Sequence, residues 1–340
     1  DFLKKFKKFS VILLSAFMIS SSASAFAASH VSSRSVYPGG QPFGVRFYND
    51  GVIIVELEPF FDGKGYVCPS KQAGLKVNDV IKSVNGIKVN SNEELQNAAS
   101  KSRGGKLKLE VERSGKSITK EITPVKNTAG AFLLGAWVKD SCAGIGTVTY
   151  YDSSQNYFAA LGHGICDNET SALLPLGSAE VLKANISSVS KSVEGNPGSI
   201  NGYFTDSKLG SLIKNTENGV FGTLSSKDFE HGKKLELADN SEIHTGKAEI
   251  YTTVDCGGVK SYGAEITGIL NRDNDSNENF VIKVTDSELI KKCGGIVQGM
   301  SGSPVIQNGK IVGAVTHVFM NKPNEGYGVL IQNMVSKYKE

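Results

Sequence analysis

Residues 299–304 read Gly-Met-Ser-Gly-Ser-Pro, a stretch dense in residues that let a backbone bend sharply and present a side chain at the bend. A serine hydroxyl is a weak nucleophile at neutral pH. It needs a base to take its proton and backbone N–H donors to hold the oxyanion formed on attack. Gly299, two positions before Ser301, would let two amides face one point. That makes Ser301 the candidate nucleophile and the N–H groups of Gly299 and Ser301 the candidate oxyanion hole. Ser303 is then a neighbour, hydrogen-bonded to backbone. The same residues would equally serve as a Gly/Ser turn between strands, so the rest of the chain must decide.

A base that works near neutrality is most often histidine. His163 lies in "ALGHGI", where a predicted strand ends between two glycines and the ring is free to face a cleft. His231 and His244 sit in polar turns and are expected to be exposed. His317 shares strand parity with Ile311, Gly313, Val315 and Phe319, which points to a buried ring or to a wall of a specificity pocket.

The elements that must position these groups begin with a secretory pattern over residues 1–28. Lys4, Lys5, Lys7 and Lys8 precede an apolar run from Phe9 to Ile19, and small residues follow around Ala23, Ala25 and Ala27. The run is short for a membrane-spanning helix, although an uncleaved signal would tether the chain. Without this segment the formal charge falls from +3 to 0, so the apparent basicity belongs to the signal and nothing argues for nucleic acid. The cysteines, Cys68, Cys142, Cys166, Cys256 and Cys293, are too sparse for a disulfide scaffold, and their odd number leaves one unpaired. Cys142 and Cys166 flank the same predicted strands. No Cys/His set has zinc-finger spacing, and neither a metal nor a cofactor is called for.

The remaining length suggests two domains, with a boundary near "PVKNTAGA", residues 124–131. In the first, "GVIIVEL" and "GKLKLEVERSGKSITKEITPV" read as strands. Between them lie an Asn85-Gly86 turn and a helix opened by the Ser91/Glu94 capping box. The second domain is a succession of short strands and Gly-rich turns, the pattern of an all-β barrel or sandwich, with helices expected near "DSELIKK" and "QNMVSKYKE".

"AGLKVNDVIKSVNGIKVNSNEEL", with "PFGV" upstream, resembles a bacterial PDZ domain over residues 36–126. The resemblance implies a peptide-binding module in which Phe43, Gly44 and Val45 form the carboxylate loop. A β-domain acting as an interdomain bracket is the other reading. "ALGHGI", "TDSELIKKCGGIVQGMSGSP" and "GAVTHVF", behind a signal and a PDZ domain, resemble the stage IV sporulation protein B peptidases, so that residues 130–340 would form a chymotrypsin-like double β-barrel. In that family's pattern His163 is the base, Asp286 the acid that orients it and Ser301 the nucleophile, in the chain order His, Asp, Ser. Met300 precedes the serine and Ser303 stands where glycine is usual, which leaves the pocket geometry open. Asp286 lies only fifteen residues before Ser301 and also reads as a helix N-cap; Asp206 is its positional rival.

The resemblance further implies export from the forespore into the intermembrane space, self-cleavage near the N-terminus, and cutting of a membrane-bound inhibitor of an intramembrane metalloprotease. Processing of a late sigma-factor precursor would follow. Two other readings stand beside it: an extracytoplasmic quality-control protease, although those usually carry the PDZ domain after the protease, and a catalytically inactive PDZ adaptor.

Overall fold

The computed structural model describes residues 34–167, 170–224, 232–272 and 274–339. The candidate signal and His231 lie outside them. In chain order the principal elements are β1 (Ser35–Pro38), β2 (Pro42–Glu56), α1 (Pro69–Gln72), β3 (Val80–Val84), α2 (Asn92–Lys101), β4 (Leu107–Arg113) and β5 (Lys116–Ile122). Next come β6 (Trp137–Asp152), β7 (Tyr157–Ala160), β8 (Leu176–Ser190), β9 (Ser199–Thr216), β10 (Gly219–Leu224), β11 (Leu235–Leu237), β12 (Gly246–Thr252) and β13 (Lys260–Ile269). The chain closes with β14 (Phe280–Val284), α3 (Ser287–Cys293), β15 (Pro304–Gln307), β16 (Lys310–Phe319), β17 (Lys322–Leu330) and α4 (Ile331–Lys339).

The small domain forms as its sequence pattern requires. Along β4, Leu107, Leu109 and Val111 are buried while Lys108 and Glu110 face outward, the period of a half-buried strand. These side chains meet Val52, Ile54, Ile81, Leu95 and Ala99 in one apolar cluster. Helix α2 opens as read: the Ser91 hydroxyl accepts from the Glu94 amide at 3.1 Å, and Glu94 accepts from the Asn90 amide at 2.7 Å. The β4–β5 hairpin turns through Ser114 and Gly115, both with positive φ, which suits the twist of paired strands.

The small domain is not placed before the β-barrels but inserted into one of them. The first half of β2 pairs on both sides with barrel strands, Gly44 opposite Ile145 of β6 and Leu182 of β8. Its second half pairs with β3 of the small domain, Val52 opposite Ile81. Strand β6 makes the return journey, Val138 opposite Ile54 and then Ala143 opposite Arg46. The expected boundaries, 36–126 and 130–340, are therefore corrected: residues 35–49 belong with the barrels, and the small domain hangs on a two-stranded ribbon formed by β2 and β6.

Phe43, Val45, Phe47, Val148, Phe158 and Val181 fill the first barrel. Ile250, Ile266, Phe280, Ile282, Val305 and Val315 fill the second, built from β12 to β17. A third cluster, with Val36, Tyr150, Tyr157, Ile311 and Met334, seals the space under α4. Strand β1 joins the barrels, since Tyr37 pairs with Tyr151 and Val36 with Leu235. All five cysteines are free thiols.

Candidate active site

His163 and Ser301 come from different barrels and each lies against β16. Strand β7 is followed by Leu161 and Gly162, two successive residues with positive φ (69° and 71°), which swing the chain out of the sheet before His163. A side chain on Gly162 would lie 3.0 Å from Thr316 and Val329, so the strand end rests directly on β16 and β17. The serine turn is locked from the same direction. The Thr147 amide donates to the Ser301 carbonyl at 3.1 Å, and the Thr147 hydroxyl to the Gly299 carbonyl at 2.7 Å. At Gly302 (φ 93°) a Cβ would stand 2.2 Å from the Thr147 carbonyl oxygen and 2.4 Å from the Leu161 amide nitrogen, so only glycine fits.

The Ser301 hydroxyl donates to the Thr316 carbonyl at 2.8 Å. The next residue, His317, places its ring 5.2 Å from that of His163, tilted by 32°. One strand thus holds the serine by its backbone and faces the candidate base with a side chain. The amides of Gly299 and Ser301 donate to no acceptor among the described residues, which leaves both free to hold an oxyanion. Gly299 has a φ of 99°, a backbone conformation that favours glycine.

His163 Nδ1 lies 2.8 Å from the carbonyl oxygen of Gly164. A carbonyl can only accept, so Nδ1 carries the proton and Nε2 presents its lone pair. Although part of the residue reaches solvent, the ring is surrounded by protein, and this burial pushes its pKa down to about 4. The Gly164 carbonyl opposes the shift and His317 adds to it. The base is therefore neutral near pH 7. His317, at the mouth of the site, is also held below the ordinary imidazole value by desolvation. It is exposed and faces the base rather than lying in the core.

Asp286 is not brought to His163. One carboxylate oxygen accepts from the Leu289 amide at 3.0 Å and the other faces the Gly263 amide at 3.4 Å, so the side chain caps α3. Asp206 is fully exposed and pairs with Arg46 at 3.7 Å. Among the described residues no carboxylate forms an ion pair with His163. Ser303 is buried with a hydroxyl that has no partner, and His244 sits on an exposed turn.

The carboxylate loop expected at Phe43, Gly44 and Val45 is corrected. Those residues lie inside the first barrel with neighbours on both edges, and Phe43 is fully buried. A strand paired on both sides has no edge to offer a peptide. A groove of about 380 Å³ lies between α2 and residues 133–138, with Ile81 and Leu95 in its lining. Gly135 has a φ of 72°, and the amides of Leu134, Gly135 and Ala136 donate to no acceptor among the described residues. Successive free amides beside an apolar groove suit a carboxylate and the side chains that precede it. The sequence cue was "FLLG", two leucines before a glycine, within a run that reads as a barrel strand.

A family model described as SpoIVB peptidase S55 matches residues 130–335, and a PDZ domain model matches residues 49–123. The Lactococcus lactis protein LL2128, described as a zinc metalloprotease, is 45% identical over 67 residues, which cover 20% of this chain and 15% of that protein. The Rv3671c protease of M. tuberculosis in its active form is 12% identical over 58% of this chain and 74% of its own, with a TM-score of 0.37. The HtrA-type protease AlgW with a decapeptide is 9% identical over 89% of this chain and 64% of its own, with a TM-score of 0.36.

Proposed function

The chain belongs to the SpoIVB peptidase S55 family, a serine peptidase with a PDZ domain acting on protein substrates, and from that premise we propose how it works and what it cuts. Ser301 is the nucleophile and His163 the general base. The observation that carries this is that neighbouring residues of one strand, β16, hold the Ser301 hydroxyl and face the His163 ring, while the amides of Gly299 and Ser301 beside that hydroxyl are free.

The Ser301 hydroxyl leaves the Thr316 carbonyl and gives its proton to His163 Nε2 as its oxygen attacks the scissile carbonyl. The oxyanion takes hydrogen bonds from the amides of Gly299 and Ser301. The imidazolium, steadied at Nδ1 by the Gly164 carbonyl, then returns the proton to the leaving amine as the C–N bond breaks. Water enters, loses a proton to the same nitrogen and releases the acyl group from Ser301.

The substrate is a membrane-associated regulatory protein, an inhibitor of an intramembrane metalloprotease. Its cutting, after export from the forespore and self-cleavage near the N-terminus, leads to processing of a late sigma-factor precursor. Family membership and the "GIVQGMSGSP" turn support this role. Peptide ends are held in the groove beside α2, with their carboxylate on the Leu134–Ala136 amides.

N-terminal sequencing of purified parent and Ser301→Ala chains tests the reading, with co-expression of the membrane-bound inhibitor. A new N-terminus and a cut inhibitor are expected with the parent alone. Identical processing of both chains would show that another protease makes the cuts.

A further inference from the structure

The carbonyl that holds His163 belongs to a loop whose far end touches the PDZ domain. Gly164 cannot carry a side chain, because a Cβ there would lie 2.2 Å from Leu173 Cδ1 and 2.8 Å from the Thr216 carbonyl oxygen. Leu173 therefore presses on the very peptide unit whose oxygen meets Nδ1 at 2.8 Å. Leu173 is 39% exposed, and its outer side lines a cleft of about 530 Å³ whose opposite wall is PDZ sequence, including Val77, Asn78 and Ser114.

The ends of the loop are anchored at the same junction. The Asp50 amide donates to the Pro175 carbonyl at 3.0 Å, and Asp50 pairs with Lys82 and Lys88 of the small domain at 2.9 and 2.8 Å. Asp167, almost wholly buried, pairs at 2.8 Å with Lys139, where β6 passes between the domains. Leu173 is therefore the side chain of this loop that stands between the cleft and Gly164. On its inner side Leu173 packs against Gly164.

We propose that the seating of the PDZ domain sets the position of the general base, with Leu173 as the positioning residue that links the two. The inference rests on the assignment of Ser301 and His163 as nucleophile and base. It adds a role for the PDZ domain apart from holding the substrate: a peptide in its groove would alter turnover of substrates that never touch it. His317 is the titratable group that faces His163, so displacement of the base should show in its titration.

The test is acylation of the full chain by a small activated ester, followed as a burst across pH, in the parent, Leu173→Ala, Leu173→Met, Val77→Asp and the Val77→Asp/Leu173→Ala pair. Thermal melting of each chain reports that it is folded. Leu173→Ala should slow the burst about tenfold or more and move its acid limb toward the ordinary imidazole value, and Leu173→Met should restore both. Val77→Asp should slow the burst in the parent yet change nothing further once Leu173 is alanine. Folded Leu173→Ala chains with the parent's rate and acid limb, or effects of the two changes that simply add, would overturn the proposal. A parent chain whose burst survives Ser301→Ala would overturn the peptidase assignment along with it.

Discussion

The depressed pKa of His163 makes folding stability depend on pH in a definite direction. Free imidazole in the unfolded chain titrates at the ordinary value of 6.5, whereas the folded chain resists protonation down to about 4. Above pH 6.5 both states hold a neutral ring and the group costs nothing. As the pH falls from 6.5 toward 4, the unfolded chain takes up a proton that the folded chain refuses, so stability drops. Below 4 the loss is complete. A gap of roughly 2.5 pH units corresponds to about 3 kcal/mol at 1.36 kcal/mol per unit, reduced toward about 2 if the site relaxes on protonation. Urea unfolding of Ser301→Ala chains, which remain intact during the measurement, should show this loss between pH 7 and 4. The same chain carrying His163→Gln supplies the baseline for every other titrating group. Subtracting one curve from the other isolates the histidine, and parallel curves across that range would refute the burial argument for His163. Ester acylation by the parent gives a kinetic check, since its acid limb should fall well below the ordinary imidazole value.

Ser303→Ala removes a buried hydroxyl that has no partner, so activity should persist and the midpoint of melting should hold or rise; a loss equal to that of Ser301→Ala would move the nucleophile assignment. Gly44→Val would drive a side chain to within 2.6 Å of Phe204 inside the first barrel, costing about 1–3 kcal/mol, and should depress ester and protein cleavage together. Selective loss of protein cleavage would return that residue to peptide binding. At the α3 cap, Asp286→Asn should melt within a few tenths of a kcal/mol of the parent and Asp286→Ala about 1 kcal/mol lower. A folded Asp286→Asn chain with turnover reduced about 10⁴-fold would mean that the carboxylate reaches His163 in the reacting enzyme.

What could be read from the sequence was local. The capping box of α2, the Asn85-Gly86 turn and the glycines flanking Ser301 each specify their backbone within a few residues, and each appears where expected. "TDSEL" also carried the N-cap signal that Asp286 fulfils. What escaped depended on pairing between distant segments. "PFGV" looks like a carboxylate loop until β6, about a hundred residues later, closes over it. The Gly164 carbonyl left no trace in residue types, because every residue has such an oxygen. Only the packing of Leu173 and the left-handed bend at Leu161 and Gly162 aim this one at the imidazole.

The ribbon of β2 and β6 fixes what can be cut from what. Because the chain passes through the first barrel before it enters the PDZ domain and again on leaving it, a break ahead of β1 leaves the pairing of β2 with β6 intact. A break after the PDZ domain leaves it still joined by hydrogen bonds along the ribbon. A peptidase trimmed to begin at residue 130 would lack the strand that carries Phe43, Val45 and Phe47, and with it the centre of a barrel. Separating the two activities therefore requires excision from within, joining residue 49 to residue 139. Shedding by a single cut is closed to this architecture, because the small domain and the barrels stay paired along the ribbon.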